Sequence, residues 1–149
     1  MTRYFSPFLF IIAPFLSYAL PAQVFIIRHA EKPATGPELS IEGQERAAAL
    51  VPYFLGTPEL NKKGPIQVIF AQKPKDHEDS SVRPIQTITP LAKALNLTPI
   101  VQYTKNEHNA LVKDIITNPA YNGKILLLCF EHKALVEIAK ELGAQNVPD

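Results

Sequence analysis

Tryptophan is absent from these 149 residues, and methionine and cysteine occur once each. A lone cysteine excludes an internal disulfide framework. Cys129 lies within the apolar run Ile125-Leu126-Leu127-Leu128-Cys129-Phe130, so it reads as core packing, with a thiol nucleophile as the alternative. Neither sign of charge dominates: 15 Lys and Arg face 14 Asp and Glu, a formal net charge of +1, with no block of like charges. That excludes the basic field of a nucleic-acid-binding surface. Glycines number only 6, and the 14 prolines are dispersed, so no low-complexity segment exists. No apolar run reaches the ~20 residues a membrane-spanning helix needs. What is present is ordinary globular composition, 46% hydrophobic and 19% charged, in a length that suits one domain.

The N-terminus departs from that pattern. Arg3 carries a positive charge, and Phe8 to Leu20, about 13 residues, is almost wholly apolar with Pro14 inside it. Small residues follow at Ser17 and Ala19, spaced as a signal peptidase requires, with Ala22 offering a second cut. The pattern predicts a secretory signal peptide over residues 1–22 and a single domain over residues 23–149. A buried N-terminal helix or a membrane anchor is the alternative. The expected location is periplasmic or secreted, with no stable membrane insertion once the leader is removed. Asn96-Leu97-Thr98 spells a glycosylation sequon, relevant only in a eukaryotic secretory route.

Beyond the leader, apolar runs alternate with helical periodicity. Val24–Ile27 and Ile66–Phe70 read as buried strands. Ser40 reads as an N-cap for a helix whose inner face is Ala47, Leu50, Val51 and Phe54. Pro52 is expected to bend or end it early. Pro84–Leu95 and His108–Thr117 are predicted helices, Pro99–Tyr103 a short strand and Ile125–Phe130 the central strand. Leu135, Ile138, Ala139 and Leu142 mark a last helix stopped by Gly143. Repeated strand–helix alternation predicts a three-layer α/β/α sandwich with a mostly parallel sheet.

In such folds, sites form beyond the carboxyl ends of the strands. Arg28 and His29 end the first strand, Glu131 and His132 follow the central one, and Arg83 opens the helix after the second. A phosphoryl group suits this set. An arginine fork binds two non-bridging oxygens and stays protonated. A neutral histidine can attack phosphorus and split one slow displacement into two. A second histidine can donate to the same oxygens. Each residue also has a plain reading as a solvated or loop-bonded side chain. Metal binding by the two histidines and Glu131 is opposed by the adjacent arginines, which repel a cation.

The string Arg28-His29-Ala30-Glu31 resembles the R-H-G/A-E signature of the histidine phosphatase superfamily, the phosphoglycerate mutase-like proteins. Leu39-Ser40-Ile41-Glu42-Gly43-Gln44-Glu45-Arg46-Ala47 is similar to that family's L-[ST]-x-x-G-x-x-[RQ]-A segment. Ser81-Val82-Arg83-Pro84-Ile85-Gln86-Thr87 is similar to its S-x-R-x-x-Q-T segment, and Leu127–His132 to the strand ending in its second histidine. The four occur in family order across nearly all of the domain. The resemblance implies His29 as nucleophile, with Arg28, Arg83 and His132 forming the phosphate pocket. It implies no cofactor and no metal. It also implies a carboxylic acid that protonates the leaving oxygen. Glu107 is the first candidate by position, and Glu131 and Glu31 are its rivals. Family members usually continue past the last helix with another strand, whereas this sequence stops at Asp149; a compact version and a fragment are both consistent with that.

The leading expectation is a phosphomonoester hydrolase working through phosphohistidine on a small molecule or a phosphoprotein, with no nucleic-acid partner. A phosphomutase using the same pocket, and a non-catalytic phosphate- or phosphopeptide-binding module on the same fold, are the alternatives. Loops 32–38 and 72–81 flank the expected pocket and should set substrate preference.

Overall fold

A computed structural model describes residues 20–77 and 79–147. The expected leader lies outside the described residues as far as residue 19. The order of elements is β1 (Gln23–Arg28), α1 (Ile41–Gly56), β2 (Val68–Ala71), α2 (Arg83–Ala94), α3 (His108–Thr117), β3 (Ile125–Phe130) and α4 (His132–Glu141), with single 3-10 turns at Lys105–Glu107 and Pro119–Tyr121.

The three strands are parallel in the order β1-β3-β2. The register sets Arg28 opposite Phe130 and Ala71 opposite Cys129. All six residues of β3 are buried, which is why its sequence is continuously apolar rather than alternating. The two-residue pleat sorts these side chains into two cores. Ile125, Leu127 and Cys129 join Ile69, Ala71 and residues of α1 and α2. Leu126, Leu128 and Phe130 join Phe70 and residues of α3 and α4. The result is the three-layer sandwich, with its sheet covered on both faces.

Two local expectations fail for identifiable reasons. Pro52 does not end α1 early; the helix runs through it to Gly56. Pro52 is exposed, as is Ala48, whose carbonyl loses its partner, so water can satisfy that group. Meanwhile Phe54 is buried and stacks edge-on against Phe25 of β1, with ring centroids 5.4 Å apart, holding the last turn in place. Pro99–Tyr103 is not a strand. Ile100 alone bridges Phe70, exchanging bonds with Ile69 O and Ala71 N. The next contact is Lys73 N to Tyr103 O, one residue out of step for a continuing ladder, so the pairing stops.

Gly143 does close α4 as expected. It takes φ +86°, and its N–H and that of Ala144 cap Lys140 O and Ala139 O. Among the described residues, no helix is long and apolar enough to cross a membrane.

Candidate active site

The apolar residues of β1 deliver Arg28 to the carboxyl rim, where it is exposed. The ladder extends one step further, as His29 N–H donates to Phe130 O at 3.2 Å. The chain then turns inward. Ala30 is 1% exposed, and its N–H donates to Thr87 Oγ1 at 2.9 Å. Thr87 is itself buried, and its hydroxyl donates to Arg83 O in the first turn of α2. Glu31 O accepts from Ser40 N at 2.9 Å and Ser40 Oγ at 3.2 Å. The same hydroxyl accepts from Gly43 N, capping α1. Leu39 N–H donates to Gln86 Oε1 at 2.8 Å. The turn after His29 is therefore clamped between the N-termini of α1 and α2.

Arg83 spans the gap to loop 32–38. Its Nε donates to Glu38 O, one terminal nitrogen to Gly36 O at 2.6 Å and the other to Ser81 Oγ. Three of its five N–H groups are thus used and two remain. Neither Arg28 nor Arg83 forms an ion pair among the described residues.

His29 is the best-defined group at the rim. Its Nδ1 lies 2.7 Å from Ala30 O. A carbonyl only accepts, so Nδ1 carries the proton, and Nε2 of the neutral ring holds a lone pair. Burial lowers the His29 pKa, the Ala30 bond opposes that, the charges of Arg28 and Arg83 lower it further and Glu131 raises it; the net direction is down from 6.5. That direction favours the neutral imidazole at neutral pH, with Nε2 unprotonated. Arg28, Arg83 and Glu131 are therefore all within electrostatic reach of it.

A cavity of about 290 Å³ opens at this point, lined by Arg28, His29, Ala30, Glu31, Lys32, Glu42 and Arg46. Lys32, Glu42 and Arg46 were not singled out by sequence reasoning. The spacing of Glu42 and Arg46, four residues apart in the first turns of α1, would have put both on one helix face. Arg46 forms an ion pair with Glu31.

The remaining expected residues are placed as follows. His132 is the first residue of α4, on the same rim, but it is exposed, does not line the cavity and forms no side-chain hydrogen bond among the described residues. Glu131 is fixed by its backbone N–H to Gln72 Oε1, and its carboxylate pairs with Lys105 at 3.1 Å, in a separate cleft. The Glu107 carboxylate folds back to accept from Thr104 N at 2.8 Å and Thr104 Oγ1 at 2.7 Å. Those bonds lower its pKa, the reverse of what a general acid requires. Glu31 is also held below the usual carboxylate range, chiefly by Arg46. Among the described residues, no three His, Cys, Asp or Glu side chains cluster as metal ligands.

A solved structure of the protein histidine phosphatase SixA complexed with tungstate matches the chain with a TM-score of 0.55, over 85% of this chain and 81% of that one, at 17% identity. The chain shares the fold of that structure. No protein-family model matches it, and no curated protein does. Within this fold, the letters that carried the family resemblance divide into two groups. Arg28, His29 and Arg83 stand at or near the carboxyl rim of the sheet, whereas Ser40, Gly43, Gln86 and Thr87 hold the backbone of residues 30–39.

Proposed function

We propose that the chain is a phosphomonoester hydrolase that passes its phosphoryl group through His29. The observation that carries this is the Nδ1–H bond of His29 to Ala30 O, at the end of the strand and beside Arg28 in the cavity, with the charge of Arg83 also acting on the ring although Arg83 does not line that cavity. That bond leaves the Nε2 lone pair free. When Nε2 attacks phosphorus, the ring becomes positively charged, and the Ala30 carbonyl stabilises the proton left on Nδ1. Arg28 and the two free N–H groups of Arg83 would hold the non-bridging oxygens, each preorganised donor contributing on the order of 3 kcal/mol in the transition state. Water then takes the phosphoryl group, and neutral imidazole leaves without needing a proton. The tungstate in the SixA complex, a tetrahedral oxyanion, supports a pocket of this kind on this fold. His132 would join the oxygens only by turning inward from its exposed position.

The substrate is a small phosphomonoester or a phosphoprotein, met in the periplasm or outside the cell once residues 1–22 are removed. The second reading is a phosphate-binding module. It is favoured by one specific observation: Glu107 and Glu31 are both held ionised, so neither is ready to protonate a leaving oxygen. One experiment separates the two. The protein is mixed with ³²P-labelled aryl phosphate, quenched in alkali and assayed for base-stable, acid-labile phosphate. A hydrolase labels His29, and His29→Ala loses both label and turnover. Undiminished hydrolysis by His29→Ala would refute the proposal.

A further inference from the structure

We infer that three consecutive carbonyls, those of Gly36, Pro37 and Glu38, set the position of Arg83, which makes Gly36 a positioning residue for phosphate. This rests on the reading above only in taking Arg83 as a ligand of the phosphoryl oxygens, and it deepens that reading.

All three carbonyls are spent on the start of α2. Gly36 O accepts from a terminal nitrogen of Arg83 at 2.6 Å, Glu38 O from its Nε at 3.0 Å and Pro37 O from Val82 N–H at 3.1 Å. The other terminal nitrogen of Arg83 donates to Ser81 Oγ at 3.1 Å. A guanidinium only donates, a carbonyl only accepts, and bonds from an ionised donor are the stronger kind. A long side chain is thereby held in one place with two N–H groups left over.

The loop is built to present these carbonyls. Pro37 has its φ fixed by its ring. Leu39 N–H is tied to Gln86 Oε1 at 2.8 Å, which closes the loop onto α2 again. Gly36 takes φ +100°, a conformation that residues with a Cβ rarely adopt, and the direction of its carbonyl depends on it. A Cβ at Gly36 would meet nothing within 4 Å, so alanine there alters the backbone preference without a collision. The charge of Arg83 also reaches His29. Loop 32–38 would therefore act on the phosphoryl group itself, through the arginine, besides touching the rest of a substrate.

The test is a double-mutant cycle on Gly36→Ala and Arg83→Ala, read by titration with inorganic phosphate and by NMR titration of the His29 ring. Once its anchors move, the guanidinium samples solvent, where ordering it on phosphate costs more and its charge is better screened. Gly36→Ala should weaken phosphate binding by about two- to tenfold and move the His29 titration to higher pH. In the Arg83→Ala background it should do neither. An effect of Gly36→Ala that persists without Arg83, an unchanged phosphate affinity, or no phosphate binding by the unmodified protein would overturn the inference. Should Gly36→Ala fail to fold, the unmodified protein carries the test by reciprocity: phosphate held by Arg83 must in turn secure the loop and slow amide exchange at Val82, and unchanged exchange would overturn it. Failure of the phosphohistidine reading looks different: labelled aryl phosphate then leaves no base-stable label on His29 in a protein that still binds phosphate and still shows the coupling of Gly36 to Arg83.

Discussion

Gly43→Ala pits two well-characterised effects against each other. Gly43 is the third residue of α1, where replacing glycine by alanine ordinarily stabilises by about 1 kcal/mol, because glycine loses more backbone freedom on folding. Here, however, a Cβ at Gly43 would lie 3.0 Å from Glu31 N and 3.2 Å from its carbonyl carbon, and closer still to its oxygen. All three atoms are backbone, so no flexible side chain can swing away. The backbone of Glu31 is also pinned by two bonds from Ser40. Forcing a methyl group into a packed contact costs about 1–3 kcal/mol. Losing one of the Ser40 bonds as the segments part costs about 1 kcal/mol more. Subtracting the propensity gain leaves a net destabilisation of about 1–3 kcal/mol. The urea midpoint should fall, and activity should fall with it, because the displaced segment carries His29. A 1 Å misplacement of catalytic groups costs on the order of a hundredfold in rate. A Gly43→Ala protein as stable as its parent, or more so, would show that the turn after His29 is not held by this contact and would refute the reasoning.

Three further outcomes are expected. Thr87→Val keeps the shape of a buried side chain but removes the acceptor for Ala30 N–H, so denaturant unfolding should show a loss of about 1–3 kcal/mol, with Thr87→Ser retaining most of the stability. The His29 pKa is lowered in the folded protein, so its neutral, active form, and the stability linked to it, should be lost as pH falls through a value below 6.5. Arg83→Ala or Arg28→Ala removes an opposing positive charge and should move the His29 ring titration, followed by NMR, to higher pH, whereas Glu131→Gln should move it lower; titrations that do not shift would show that these charges do not act on His29.

The elements most legible in the sequence were those fixed by burial over their whole length. Ile125–Phe130 is apolar at every position because both faces of β3 are covered, and its ends coincide with the observed strand. His108–Thr117 likewise matches α3 residue for residue. Pro52 misled because the local rule takes no account of which face of a helix the proline occupies or of Phe54 anchoring the next turn on β1. Pro99–Tyr103 misled because a continuous ladder depends on register with β2, and register is a property of two segments.

The candidate site divides along the same line. That Arg28, His29, Glu131 and His132 share a rim follows from strand ends in a parallel sheet, and could be read directly. Where each side chain points could not. The fate of Glu107 was nonetheless spelled out locally, since Thr104-Lys105-Asn106-Glu107 is the threonine–x–x–glutamate pattern of a capping box, formed here in full. By contrast, the pairing of Glu31 with Arg46 and the covered state of Glu31 Oε2 depend on how the first turn of α1 closes on the segment after β1. That closure needs a residue without a side chain at position 43 and a hydroxyl at position 40. Much of the family-like spelling therefore records how one turn is clamped, and only Arg28, His29 and Arg83 bear on the proposed phosphoryl chemistry. A chain could keep Ser40, Gly43, Gln86 and Thr87 and have no chemistry at all, which is why the decisive measurements are made on His29 and Arg83.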